Sequence, residues 1–269
     1  MLIQTTEKRI FNLKQPATLL KETVSVIIPA FNEEGRIGQT IKDLVDNWPQ
    51  LFEIIVIFDG TDQTDKVARE SFENVKVFKY TRRLGQGGAI IEGFKHAKGE
   101  VICFIDADGA TPWYEVLRLV SLVNKDRPVI YGSRWVNGAS VGRKENIRNI
   151  VGGRVYHYLA LAILGVKERD SFCGLKVFTK DVALRLAQQV TISDRTFNIA
   201  ISYNLKLMGI DVTEIGIEWS HRDGTKLHVG LKAILMMFLT LFGLRVVHSR
   251  RFIFLKKLVI NFRKKIQFY

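Results

Sequence analysis

An α/β fold, with a mostly parallel sheet flanked by helices, is predicted by three observations. Apolar, β-branched runs alternate with helical patterns through the first half of the chain. Those runs are too continuously apolar for strands with one wet face. Finally, the residue types suited to chemistry cluster where the runs end.

The runs at 24–28, 54–58, 75–80, 101–105 and 129–131 read as buried strands. Helical spacing falls between them at 34–48, 64–71, 87–97 and 113–123. This alternation implies right-handed βαβ units, so ligands are expected at the carboxyl ends of the strands. The second half is less regular. A basic loop over 133–154 overlaps a helix at 147–164, followed by a strand at 174–178, helices at 181–188 and 197–207, and a strand at 212–217. With no internal repeat and no Pro/Ser-rich linker, residues 1–226 are expected to form one domain and 227–269 a basic amphipathic segment.

The formal net charge of +13 brings nucleic acid to mind, but ten of those charges come from 226–269, where no acidic residue occurs. That stretch is also rich in apolar residues, which suits an anionic membrane surface better than nucleic acid, and no nucleic-acid recognition module is visible. Residues 233–244 carry no charge, yet as a helix they would reach only about 18 Å. A bilayer core of about 30 Å predicts that they lie on a membrane rather than cross it. Phe252, Leu255, Val259 and Phe262 then fall at helical spacing opposite Lys256, Lys257 and Asn261. Packing of both segments against a protein partner is the alternative, and a homo-oligomer remains open. Cys103 and Cys173 sit inside apolar runs and read as reduced core thiols. No secretory signal is apparent in the first sixteen residues, so a cytosol-facing catalytic domain on a cell membrane or endomembrane is expected.

Four motifs stand at strand ends. Asp106-Ala107-Asp108-Gly109 offers two carboxylates that can share a hard divalent cation, Mg2+ or Mn2+, with phosphate oxygens; a solvated turn is the plainer reading. Asp59-Gly60-Thr61-Asp62 can accept a hydrogen bond from a nucleobase or cap the following helix. Asn32 and Glu33 can bind a ribose or cap the helix after them. Arg82 to Gly88 combines a glycine-rich backbone with a helix start, suited to an anion, but it lacks the Walker ending and the dinucleotide spacing.

Pro29-Ala-Phe-Asn-Glu33, Asp59-Gly-Thr61, Gly85-Gln-Gly-Gly-Ala89, Asp106-Ala-Asp108-Gly109, Gly132-Ser-Arg134, Asp170-Ser-Phe-Cys-Gly-Leu-Lys-Val-Phe178 and Trp219-Ser-His-Arg-Asp-Gly-Thr-Lys-Leu227 occur in this order. Over about residues 23–227 the pattern resembles the family 2 glycosyltransferases, and among them the dolichyl-phosphate glucosyl- and mannosyltransferases. The resemblance implies a GT-A fold with a Rossmann-like nucleotide-binding sheet. It implies that Pro29, Asn32, Glu33, Asp59, Gly85, Gly87 and Asp106 hold a nucleotide-sugar donor, and that Asp106 and Asp108 bind the metal. Asp108, Arg134, Arg222 and Lys226 would serve catalysis. Asp170, Cys173, Gly174 and Lys176 would form the acceptor side.

Three departures from the family pattern stand out: Phe58 in place of an acidic residue, Ala110 where mannosyltransferases often carry glutamine, and Ala200 where many relatives carry glutamate. Asp194 lies near the last of these. A hydroxyl acceptor needs a general base, whereas a lipid phosphate is already anionic and needs positioning. The expected reaction is therefore inverting attack of polyprenyl phosphate on the anomeric carbon, with UDP-glucose the first choice of donor and GDP-mannose the second. Arg134, Arg143, Lys144, Arg148 and Arg154 form a basic cluster suited to the acceptor phosphate. The competing readings are transfer to a polysaccharide or protein hydroxyl and a catalytically inactive nucleotide-binding scaffold.

Overall fold

The computed structural model describes residues 22–49, 51–143, 147–190, 196–222 and 231–247, with only the backbone of 148, 149 and 231–236. Lys144, Asp194, Lys226, the side chain of Arg148 and the segment around 252–262 lie outside it.

Seven strands form one sheet in the order β3-β2-β1-β4-β7-β5-β8. They are β1 (Val24–Ala30), β2 (Glu53–Phe58), β3 (Val75–Lys79), β4 (Val101–Phe104), β5 (Val129–Ser133), β7 (Lys176–Thr179) and β8 (Thr213–Gly216). A small parallel pair, β6 (Ser140–Val141) and β9 (Glu218–Trp219), stands apart. The helices are α1 (Ile37–Asn47), α2 (Thr64–Ser71), α3 (Gly85–His96), α4 (Trp113–Val120), α5 (Ile147–Leu164), α6 (Lys180–Gln189), α7 (Phe197–Leu207) and α8 (Leu231–Val247).

Strand alternation divides the core into two layers. Ile27, Ile55, Ile57, Phe104 and Phe178 face one side, where Phe94 of α3 and residues of α5, α6, α7 and α8 cover them. Val26, Ile28, Val56, Cys103 and Val177 face the other side, covered by Ile37, Ile41 and Leu44 of α1, Ala68 of α2 and Val116 and Leu119 of α4. Burial on both faces explains the unbroken apolar runs.

Two features position the site. The chain reverses its strand order at β1, whose neighbours are β2 and β4, and a crevice opens at such a switch point. In addition, β7 runs antiparallel to both β4 and β5, with Phe104 and Tyr131 each opposite Lys176. The start of β7 therefore lies beside the exits of β4 and β5, which brings Asp170 to Gly174 to the end of the sheet that carries Asp106 and Arg134.

Within the charge-free run, residues 237–244 pack on protein along one side. Leu241 and Leu244 belong to the core, and the Tyr156 hydroxyl of α5 donates to the Met237 carbonyl at 3.2 Å. Leu239 and Phe242 remain exposed. Among the described residues no helix is long and apolar enough to cross a membrane.

Candidate active site

The first two strand exits are tied to each other by side chain to backbone bonds. Asn32 adopts φ 56°, a conformation that asparagine tolerates better than most residues, and its Oδ1 accepts Thr61 N at 2.8 Å and Asp62 N at 3.3 Å. Glu33 N donates to Thr64 Oγ1 at 2.7 Å. Asn32 thus serves as a clasp between loops, and it leaves Pro29, half-buried and opposite Ile57, on the floor of the crevice.

Asp59 does not cap α2, where no side-chain cap is formed. Its Oδ2 instead accepts Leu84 N at 2.7 Å and Gly85 N at 2.9 Å, at the start of α3, while Oδ1 pairs with Arg83. The carboxylate thereby occupies the positive end of α3. The Arg83 guanidinium also stacks 3.6 Å above the Phe31 ring, making a flat cationic platform at the crevice mouth. Gly85 needs its φ of 72°, and a Cβ on Gly87 would sit 2.5 Å from the Phe197 ring, so these glycines set the turn and the contact between α3 and α7. Phe58 is fully buried, which explains how an apolar residue stands beside Asp59.

Asp106 and Asp108 follow β4. The Asp106 carboxyl is raised to about 6, first by burial and then by the charge of Asp108, with Lys176 and Arg134 opposing. Gln86 Nε2 donates to Asp106 Oδ1 at 3.2 Å. The Asp108 side chain accepts Ala110 N at 3.0 Å, and Arg36 approaches it at 3.9 Å. Gly174 lies against Asp106 so closely that a Cβ there would fall 1.9 Å from Asp106 Oδ2. Two carboxylates crowded together, one of them pushed toward its neutral form, suit a divalent cation that also takes phosphate oxygens. Among the described residues no group of three or more His, Cys, Asp or Glu side chains could hold a metal, so substrate oxygens or water would complete its shell.

On the acceptor side, Asp170 grips Arg134 through Nε and Nη2, each at 2.8 Å, and also accepts Arg134 N at 2.8 Å. Trp219 lies 5.0 Å from the Arg134 guanidinium. Exposed Arg143 and Arg222 are brought together by the bond from His221 N to the Arg143 carbonyl at 2.9 Å. Arg154 reaches over Trp135 at 4.9 Å.

Cys173 and Lys176 are buried beneath the crevice, which removes them from direct contact with an acceptor. The Lys176 ammonium donates to the Cys173 carbonyl at 2.6 Å and Asn198 Oδ1 at 2.7 Å, between the rings of Phe104 and Tyr131. Burial lowers it to about 8, against the pull of Asp170 and Asp106. Burial likewise pushes the Cys173 thiol up to about 12. Ala200 is buried within α7.

Sequence reasoning overlooked Arg36 and Asn198 as site residues, and it quoted Arg83 and Gln86 only as members of the glycine-rich segment 82–88, without a partner for either. A cavity of about 490 Å3 between α6 and α7, lined by Arg185, Gln189, Asn204, Leu207 and Met208, contains none of these groups.

Solved structures share this fold. Glucosyl-3-phosphoglycerate synthase from Mycobacterium tuberculosis, in complex with Mg2+ and uridine-diphosphate, superposes with a TM-score of 0.62 at 18% identity, covering 90% of this chain and 85% of its own. Its complex with Mn2+, uridine-diphosphate and glucosyl-3-phosphoglycerate gives 0.60 at 18% identity, over 83% of this chain and 78% of that one. The likeness to both is one of fold, the GT-A fold. The sequence profile of glycosyl transferase family 2 matches residues 25–186, and the chain belongs to that family. It is 30% identical over 241 residues to dolichyl-phosphate beta-glucosyltransferase of Saccharomyces cerevisiae, covering 79% of this chain and 71% of the yeast protein. The protein of that name from Dictyostelium discoideum is 29% identical over 76% of this chain and 68% of its own length.

Proposed function

We propose that this glycosyltransferase moves glucose from UDP-glucose to a polyprenyl phosphate at a membrane surface, with inversion at the anomeric carbon. The observation that carries this reading is the state of the crevice carboxylates. Glu33 is paired with Arg36, Asp59 with Arg83 and two backbone N–H groups, and Asp170 with Arg134. Asp106 and Asp108 lie within electrostatic reach of each other and are assigned here as the metal donors. Among the described residues, none of these five is left to take a proton from a hydroxyl. An acceptor that is already anionic needs no such base. The relatives named dolichyl-phosphate beta-glucosyltransferase support the same acceptor and sugar.

Asp106 and Asp108 would hold Mg2+ or Mn2+, which would neutralise charge developing on the departing diphosphate. Arg134, fixed by Asp170, is held ready for a phosphate, and exposed Arg143 and Arg222 extend the cationic rim. Arg148 and Lys226 are assigned to that rim from sequence alone. Pro29, Asn32, Glu33, Asp59, Gly85 and Gly87 frame the donor side.

Membrane placement is supported by α5. Ile147, Val151, Val155, Tyr158 and Leu161 recur along one face and are exposed, Ile147 by 74% and Tyr158 by 57%. The opposite face packs into the core through Tyr156, Ala160 and Leu164. Arg154 borders the exposed face, donating to the Tyr158 hydroxyl and to the Arg169 carbonyl, and Trp135 and Tyr158 suit the headgroup level. Segment 227–269 would add its basic charge to the same attachment, on a cytosol-facing catalytic domain.

The test offers radiolabelled nucleotide sugars and polyprenyl phosphate in detergent, with Mg2+, Mn2+ or EDTA. Glucolipid formed from UDP-glucose, abolished by EDTA and by Asp108→Ala, is the expected result. Product on a hydroxyl acceptor alone would replace the lipid reading. Nucleotide binding without any transfer would leave a scaffold.

A further inference from the structure

Arg36 stands between the two acidic groups of the donor side. Its Nε donates to Glu33 Oε2 at 2.7 Å, and its Nη1 lies 3.9 Å from Asp108 Oδ2. The position is held by the backbone, since Arg36 N and Ile37 N both donate to the Glu33 carbonyl at 3.0 Å, just where α1 begins. The side chain is only 22% exposed, so its charge is poorly screened by water. Asp108 therefore has a cationic neighbour before any divalent ion arrives.

Two consequences follow from charge alone. A divalent ion approaching Asp108 is repelled by the guanidinium and must share the carboxylate with it. A nucleoside diphosphate has the opposite effect, because its oxygens match the planar fork of arginine and draw it away from the carboxylate. We propose that Arg36 is the resident counter-cation of Asp108 and transfers to the donor's diphosphate, so that metal binding becomes conditional on nucleotide. The inference rests on the assignment of Asp106 and Asp108 as the metal donors beside a nucleotide diphosphate.

The test measures Mn2+ binding to the full-length protein by the loss of the free-ion electron paramagnetic resonance signal, with no nucleotide and with saturating UDP. Wild type is expected to bind Mn2+ at least about tenfold tighter with UDP than without, in the range usual for coupled sites. Arg36→Met should bind Mn2+ about tenfold tighter than wild type in the absence of UDP, and the UDP enhancement should shrink by the same factor. Linkage requires an equal fall in the effect of Mn2+ on UDP affinity, a separate measurement of the same quantity. Arg36→Gln, which can still donate to Glu33, should match Arg36→Met if charge is the cause, and it serves alone should the methionine variant fail to fold. Arg36→Lys should stay near wild type.

Unchanged or weaker nucleotide-free Mn2+ binding in the neutral variants overturns the inference and leaves the metal assignment standing. Failure of wild type to bind Mn2+ even with UDP overturns the metal assignment, and this inference with it.

Discussion

Gly174 shows how much of the site depends on a single missing atom group. Its Cα faces Asp106 so closely that any Cβ would displace the carboxylate. Gly174→Ala is expected to lower transfer about a hundredfold, as misplacing a reacting group by about 1 Å does. Far-UV circular dichroism should be unchanged, and a near-normal rate would show that the carboxylate can move without consequence. Lys176 makes the matching point about charge. Because burial holds it at about 8, below its ordinary 10.5, the folded protein between those values has released a proton that the unfolded chain keeps. Its contribution to stability therefore rises as the pH climbs from 8 towards 10.5, by about 3 kcal/mol at most, and the full burial penalty applies below 8. Lys176→Met should flatten that rise when urea unfolding is compared at about pH 7 and about pH 10. An identical slope in both proteins would place the ammonium in water.

Among the described elements, α5 has a long apolar face left uncovered. Its exposed face carries Ile147, Val151, Val155, Tyr158 and Leu161, side chains that would ordinarily be covered. Val155→Glu should reduce sedimentation with vesicles containing anionic lipid, while the thermal midpoint and the transfer rate to a detergent-solubilised acceptor stay close to wild type. Equal vesicle binding by the variant would assign attachment to other parts of the chain. The contact of α3 with α7 has a different basis, in the bare Gly87 backbone against Phe197. Every helix placed by periodicity between 34 and 207 exists, and 64–71, 147–164 and 197–207 have their expected bounds. The two-residue strands β6 and β9 left no trace because a pattern with a period of two needs more residues to register.

At the scale of the whole molecule, three loops and a reversed strand must fold together to form the proposed donor and metal site. Ligands that bind only the folded state should therefore stabilise all of it. UDP with Mn2+, at a hundred times its dissociation constant, is expected to add about 2.7 kcal/mol. EDTA should reverse the metal-dependent part, and Asp108→Asn should lack it. An equal shift with UDP alone would mean that the cation contributes nothing to donor binding.

The sequence by itself determined the α/β class, the strands and helices of the first half, and the residues at each strand exit. Each of these is written locally, in the period of apolar residues and in turn chemistry. It also determined which side chains are candidates, because a carboxylate pair after a buried strand is visible in one dimension. Tertiary structure decided their partners. Direction is invisible in a short apolar run, so only the folded sheet could make β7 antiparallel, bury Lys176 and bring Gly174 against Asp106. The pairings of Arg36 with Asp108 and of Arg83 with Asp59 were hidden for the same reason. A long cation finds its carboxylate across loops, and that choice belongs to distances in space rather than to spacing along the chain.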